Sequence, residues 1–160
     1  MRAIVYPKYG GPEVLQFREV PKPVPAANQV LVGIRAASVN PVDFHQMRGH
    51  VRVITGPITP RNPVLGTDIA GVVEAVGSQA KGFRVGDEVF GFSSPGGGGF
   101  AEFVCTTEDK LARKPPNVSF EQAASVPVAG ITALQGLRDK GHIRAGQKVM
   151  IDAFVLRVQM

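Results

Sequence analysis

The stretch NPVLGTDIAGVVEAVGSQAKGFRVGDEVFGF, running from Asn62 to Phe92, decides the fold, because its apolar residues, glycines and acids fall in a pattern that tightly turned β-structure uses. Ile69–Val76 reads as a β-branched strand. Gly71 inside it marks a bulge or a close approach of another backbone. Gly77-Ser78 turns the chain, and the run from Phe83 to Phe90 holds a second turn at Gly86-Asp87, where glycine supplies a positive φ that other residues resist. A second strand, Glu88 to Gly91, follows. A plain glycine-turned hairpin would also satisfy this stretch.

Working outward, Met1–Tyr6 and Leu15–Val20 are short strands separated by Pro7-Lys8-Tyr9-Gly10-Gly11-Pro12, which enforces a reversal and predicts a β-hairpin. Pro21-Lys22-Pro23-Val24-Pro25 lacks the donors that a sheet interior needs, so it is an extended connector into the strand Gln29–Ser38. Pro41 suits the first turn of a short helix with Asn40 before it. Gly49–Asn62 reads as a loop and Phe100–Thr106 as a further strand. Together these give a mainly β chain with short helices and a closed or partly closed barrel. Lys114-Pro115-Pro116-Asn117 is the best boundary, with Ser119-x-Glu121 opening helical segments at Gln122–Ser125 and Val128–Leu137, divided at Pro127. Gly141–Gly146 leads to a strand at Lys148–Ile151.

A length of 160 residues is ample for one buried core, and 44% apolar residues fit a globular protein. The formal charge of +5 is scattered, with no basic run and no interleaved aromatics, so nucleic acid is not the expected partner. Cys105 is the only cysteine, which excludes an intrachain disulfide and a cysteine-cluster metal site and favours a reducing compartment. No apolar run approaches the roughly 20 residues that cross a bilayer, and the start lacks the layout of a signal peptide. A cytoplasmic protein without membrane partners is expected.

The succession GTDIAGVVEAVG then FRVGDEVFG resembles the GroES-like catalytic domain of the medium-chain dehydrogenase/reductase superfamily, nearest its zinc-free quinone oxidoreductase and enoyl reductase branch. The resemblance runs from Met1 to about Asp152. It implies a GroES-like catalytic domain over 1–117, the first helix and strand of a Rossmann domain over 118–152, and a tail outside the family pattern over 153–160. It also implies an NADPH-dependent enzyme passing hydride to a quinone or enone.

Zinc alcohol dehydrogenases carry Cys-x-x-Asp and Gly-His-Glu where this chain has Asn40-Pro41-Val42-Asp43 and Gly66-Thr67-Asp68. An amide and a hydroxyl are poor zinc ligands, so no metal is expected. Ser93-Ser94-Pro95 and the glycines Gly96–Gly99, read as a flexible loop, stand where the family's structural zinc would bind. That glycine run lacks the Lys-Ser/Thr of a phosphate loop and precedes a strand. The resemblance makes Asn40 and Thr132 the cofactor-binding candidates and places His45 and Arg48 beside the substrate cleft. From the residues alone, Asn40 reads equally as a helix cap, Asp43 as a first-turn acid, His45 as a surface side chain and Thr132 as a threonine bonding its own helix. Cys105 reads as a core or edge residue. His50 and His142 lack ligand companions.

After Met150 the sequence contains no glycine, whereas the family continues into a glycine-rich pyrophosphate turn. The chain is therefore expected to be an inactive fragment that self-associates through uncovered apolar surface around Val126–Leu137. A zinc-type dehydrogenase fragment and a non-catalytic binding or assembly module are the alternatives.

Overall fold

The computed structural model describes residues 1–93 and 97–150. Strands β1 (Arg2–Val5) and β2 (Gln16–Glu19) pair antiparallel as the expected hairpin. The main sheet is antiparallel and takes its five strands in the order β6-β3-β4-β5-β7. These are β3 (Gln29–Ser38), β4 (Asp68–Val76), β5 (Glu88–Phe92), β6 (Phe103–Thr107) and β7 (Leu111–Arg113). Single bridges, Ala3 to Ala101 and Val5 to Val64, fasten the hairpin to the rest.

The sheet is strongly curled. Thr106 in β6 and Phe92 in β5 are separated by two strands in the pairing order, yet Thr106 Oγ1 donates to the Phe92 carbonyl at 3.1 Å. The barrel is thus partly closed, without a continuous ladder around it. Its inside is lined by Val30, Val32, Ile69, Val73, Val89 and Val104, all 5% exposed or less. The opposite face carries Ala70, whose small side chain lets α3 (Phe120–Ala124) pack Ala123 and Ala124 close against it.

Two glycines act where the sequence placed them. Gly71 pairs with Ile34, and a Cβ there would run into the Gly33 carbonyl oxygen. The register skips at Arg35 beside it, so the bulge lies on β3 and the close approach on β4. Gly86 has φ +92° in the turn before β5, with open space around it.

The helix α1 (Pro41–Met47) begins at Asn40 as its cap and buries Met47 against Tyr6 and Leu65. The expected loop 49–62 contains one helical turn, α2 (Arg52–Thr55), held by the Tyr9 hydroxyl, which bonds Thr55 Oγ1 at 2.8 Å and donates to the Gly56 carbonyl at 2.6 Å. Ser119 caps α3 through a reciprocal box with Gln122 rather than Glu121. α4 (Pro127–Leu134) starts at Pro127 and continues as a π-helical segment, Gln135–Lys140.

Two expectations need correction. The glycine run is not loose where it is described. Gly97–Gly99 are buried, Gly98 and Gly99 donate to the Leu65 and Gly66 carbonyls at 3.2 and 2.8 Å, and Asn62 Nδ2 donates to Gly97 O at 3.1 Å. The strand expected at Lys148–Ile151 is not formed by Lys148–Met150, because no neighbouring strand among the described residues takes up its backbone hydrogen bonds. Ser94–Gly96, Ile151 and the tail 153–160 lie outside the described residues.

Candidate functional site

The antiparallel register places Ser38, at the end of β3, opposite Asp68, at the start of β4. Two residues beyond Ser38 the chain turns into α1 at Asn40. These three side chains converge. Asn40 Nδ2 donates to Ser38 Oγ at 3.1 Å and to Asp68 Oδ2 at 3.2 Å, and Ser38 Oγ donates to the same oxygen at 3.3 Å. A fourth group comes from 60 residues further along the chain: the Val128 backbone N–H, in the first turn of α4, donates to Asp68 Oδ2 at 3.0 Å. One carboxylate oxygen therefore joins the barrel, the cap of α1 and the helix that carries Thr132.

A second buried acid lies beside it. Asp43, 2% exposed, accepts the Asn40 backbone N–H at Oδ2 (2.8 Å) and the Thr67 hydroxyl at Oδ1 (2.9 Å). Burial pushes both carboxyls above the ordinary carboxylate range, and for Asp68 the neighbouring Asp43 charge adds to the rise. Asp68 is fully buried, and its Oδ1 has no hydrogen-bond partner. Such an arrangement holds an amide and a helix start rigidly, since a donor pulled away from either acid would be left unsatisfied in a dry site.

The candidates fall into two groups. Asn40 is half-buried at the centre of the network, and it is also the α1 cap, closing a capping box with Asp43, as the reading from the residues alone has it. Thr132 is exposed on α4, four residues and so about 6 Å of helix beyond Val128, and nearly on the same helical face. His45 and Arg48 lie apart, on the exposed side of α1. His45 Nδ1 faces His50 Nδ1 at 2.9 Å, and the Arg48 guanidinium stacks 4.6 Å over the Phe44 ring, which meets both imidazoles edge-on. Sequence reasoning passed over Ser38 and Val128. It quoted Asp68 and Thr67 only as zinc-site replacements. An acid heading a β-branched strand was the available signal, because such an acid requires several donors.

The network also bears on zinc. The Asn40 amide and the Thr67 hydroxyl present hydrogens to Asp68 and Asp43, and that orientation does not fit a metal ligand set. Among the described residues no group of three or more His, Cys, Asp or Glu converges so as to hold a metal ion. Cys105 is half-buried in the edge strand β6, and burial pushes its thiol up. No helix among the described residues is long and apolar enough to cross a membrane.

Residues 26–116 match the alcohol dehydrogenase GroES-like domain family. Over 148 residues the chain is 41% identical to the chloroplast envelope quinone oxidoreductase homolog of Arabidopsis thaliana, covering 90% of this chain and 44% of that protein. It is 36% identical to human quinone oxidoreductase over 152 residues, covering 94% of this chain and 45% of the relative. The chain belongs to the quinone oxidoreductase branch of the medium-chain dehydrogenase/reductase superfamily.

Solved structures of this branch agree with the fold. The quinone oxidoreductase of Coxiella burnetii superposes with a TM-score of 0.82 at 35% identity, over 91% of this chain and 46% of that one. The Escherichia coli quinone oxidoreductase, solved in complex with NADPH, gives 0.76 at 33% identity over 88% of this chain and 41% of that one. The chain thus spans under half the length of these quinone oxidoreductases.

Proposed function

We propose that this chain supplies the acceptor-side domain of a zinc-independent, NADPH-dependent reductase that passes hydride to a quinone or enone. The observation that carries the proposal is the shared Asp68 oxygen, which fixes Asn40 and the helix bearing Thr132 in one rigid unit at the end of the sheet. A bound nicotinamide would supply the hydride. Asn40 and Thr132 offer an amide and a hydroxyl for orienting it, and the exposed cluster of Phe44, His45, His50 and Arg48, its Phe44 ring set edge-on to both imidazoles, offers aromatic edges and a cation to an acceptor. The quinone oxidoreductases it resembles, one of them solved with NADPH, support this reading.

On this reading the 160 residues alone are expected to show no turnover. Two hydrogen bonds of about 0.5–1.5 kcal/mol each do not offset the entropy of association. In a form extended to the length of its relatives, NADPH oxidation by a simple quinone is expected, with Asn40→Ala and Thr132→Ala each lowering kcat/KM by about tenfold or more. Unchanged kinetics in both variants, or micromolar NADPH binding and turnover by the 160-residue chain, would overturn the proposal. Self-association of the chain belongs to the same reading. Light scattering that shows a monomer at high concentration counts against it.

A further inference from the structure

We propose that Asp68 is a positioning residue: through one carboxylate oxygen it sets the orientation of the Asn40 amide and the placement of α4, and with α4 that of Thr132. The role in cofactor binding rests on the function proposed above, but the tether is a property of this chain alone.

Asp68 Oδ2 receives Ser38 Oγ, Asn40 Nδ2 and the Val128 N–H, all between 3.0 and 3.3 Å, while Oδ1 receives nothing. An acid whose only duty was to satisfy its own charge would use both oxygens. Here the donors are gathered on one side, and they come from three separate elements: the end of β3, the cap of α1 and the first turn of α4. Val128 N–H is one of the first-turn donors that a helix cannot satisfy internally, and α4 has no capping side chain, its cap position being Val126. Asp68 takes the place of that cap from another part of the chain.

The consequence for Asn40 is an orientation. An isolated amide can flip, exchanging its oxygen and nitrogen. With Asp68 and Ser38 both accepting from Nδ2, the flipped amide would set its oxygen against a carboxylate. The consequence for Thr132 is a position, because four residues of helix separate it from the anchored N–H. Any ligand that bridges Asn40 and Thr132 depends on a distance that Asp68 maintains.

The test uses the 160-residue chain and nuclear magnetic resonance. In Asp68→Asn, the Asn40 side-chain amide resonances should move and exchange faster, and the Val128 amide should lose protection by about tenfold or more, with the sheet amides unchanged. Asp43→Asn is the control. It touches Asn40 through the backbone and Thr67 through the hydroxyl, so it should leave Val128 protection intact. A folded Asp68→Asn with both signals unaltered overturns the proposal, and so does an equal loss at Val128 in Asp43→Asn, which would mean general loosening.

Should Asp68→Asn fail to fold, scalar couplings across the hydrogen bonds in the unsubstituted chain decide: correlations from Val128 N and Asn40 Nδ2 to Asp68 Cγ are expected, and their absence overturns the tether. A separate arm adds NADPH to millimolar concentration. Shifts at Asn40 and Thr132 support the cofactor role, whereas shifts confined elsewhere end that reading while the exchange data still judge the tether.

Discussion

The barrel and the helical arm that follows it use the same kinds of side chain to opposite effect. Val30, Val32, Ile69 and Val89 in the sheet are wholly buried, whereas Val126, Ile131 and Leu134 around α4 are 41–48% exposed and Met150 is 92% exposed. The sheet curls over its own core, so each of these β-branched residues finds partners from a neighbouring strand. The arm is anchored at its first turn by Asp68 and thereafter lies against one wall only. Between that wall and α4 remains an apolar cavity of about 510 Å³, lined by Phe90, Phe92, Leu111, Ile131 and Leu134 among others. An apolar pattern defines a helix, and burial requires a second surface.

Core truncation should widen this contrast most. Ile69→Ala removes a fully buried side chain near the start of β4 and should cost about 2–5 kcal/mol. Ile131→Ala trims a 41% exposed residue and should stay within about 0.5–1 kcal/mol. Urea unfolding of both variants measures the pair, and equal losses would mean that the arm is packed as tightly as the barrel.

Glycine replacements sharpen the same comparison at smaller amplitude. In Gly71→Ala the new methyl meets the Gly33 carbonyl oxygen, a backbone atom that cannot swing aside, so a loss of about 1–3 kcal/mol is expected. Gly136→Ala, in the π-helical segment, meets nothing within 4 Å and removes backbone freedom from the unfolded chain, for a gain of up to about 1 kcal/mol. Opposite signs in thermal melts are the expected outcome. A loss at Gly136 would reveal a surface against that segment.

What the sequence made legible was local. β3 was read at Gln29–Ser38, Pro41 and Pro127 each open a helix, and Gly86 takes the positive φ required of it. Each of these rests on neighbours within a few residues. The features that escaped are held by distant ones. Gly97 is held by Asn62 and Gly98 and Gly99 by Leu65 and Gly66, all more than thirty residues earlier, and α2 is held by Tyr9. Lys148–Met150 has strand composition without a strand to pair with among the described residues. At the candidate site Asn40 was legible from its place before Pro41, but its orientation depends on Asp68, and Asp68 depends on a backbone N–H 60 residues away. No spacing rule reaches that far.

The smallest effect separates the two kinds of carboxylate. Asp43 and Asp68 are buried in the network and raised from the ordinary 3.8, chiefly by desolvation. Asp87 is held below 3.8 by the Arg84 backbone N–H and by Arg113, which approaches it at 3.0 Å. A carboxyl raised on folding binds its proton more tightly in the native state, so its contribution to stability is full below 3.8 and fades as pH rises through its elevated value. A carboxyl lowered on folding behaves in reverse: its contribution is present above 3.8 and fades as pH falls through its depressed value. Melting temperatures of Asp68→Asn and Asp87→Asn, followed across the acid range, should therefore diverge. The deficit of Asp68→Asn relative to the unsubstituted chain should shrink as pH rises above about 4, since only the unsubstituted chain loses the benefit of a buried neutral acid. The deficit of Asp87→Asn should shrink as pH falls below the same point. Were both deficits to shrink in the same direction, the buried acid would be ionised at little cost, and water or an unseen donor would have to reach Asp68 Oδ1.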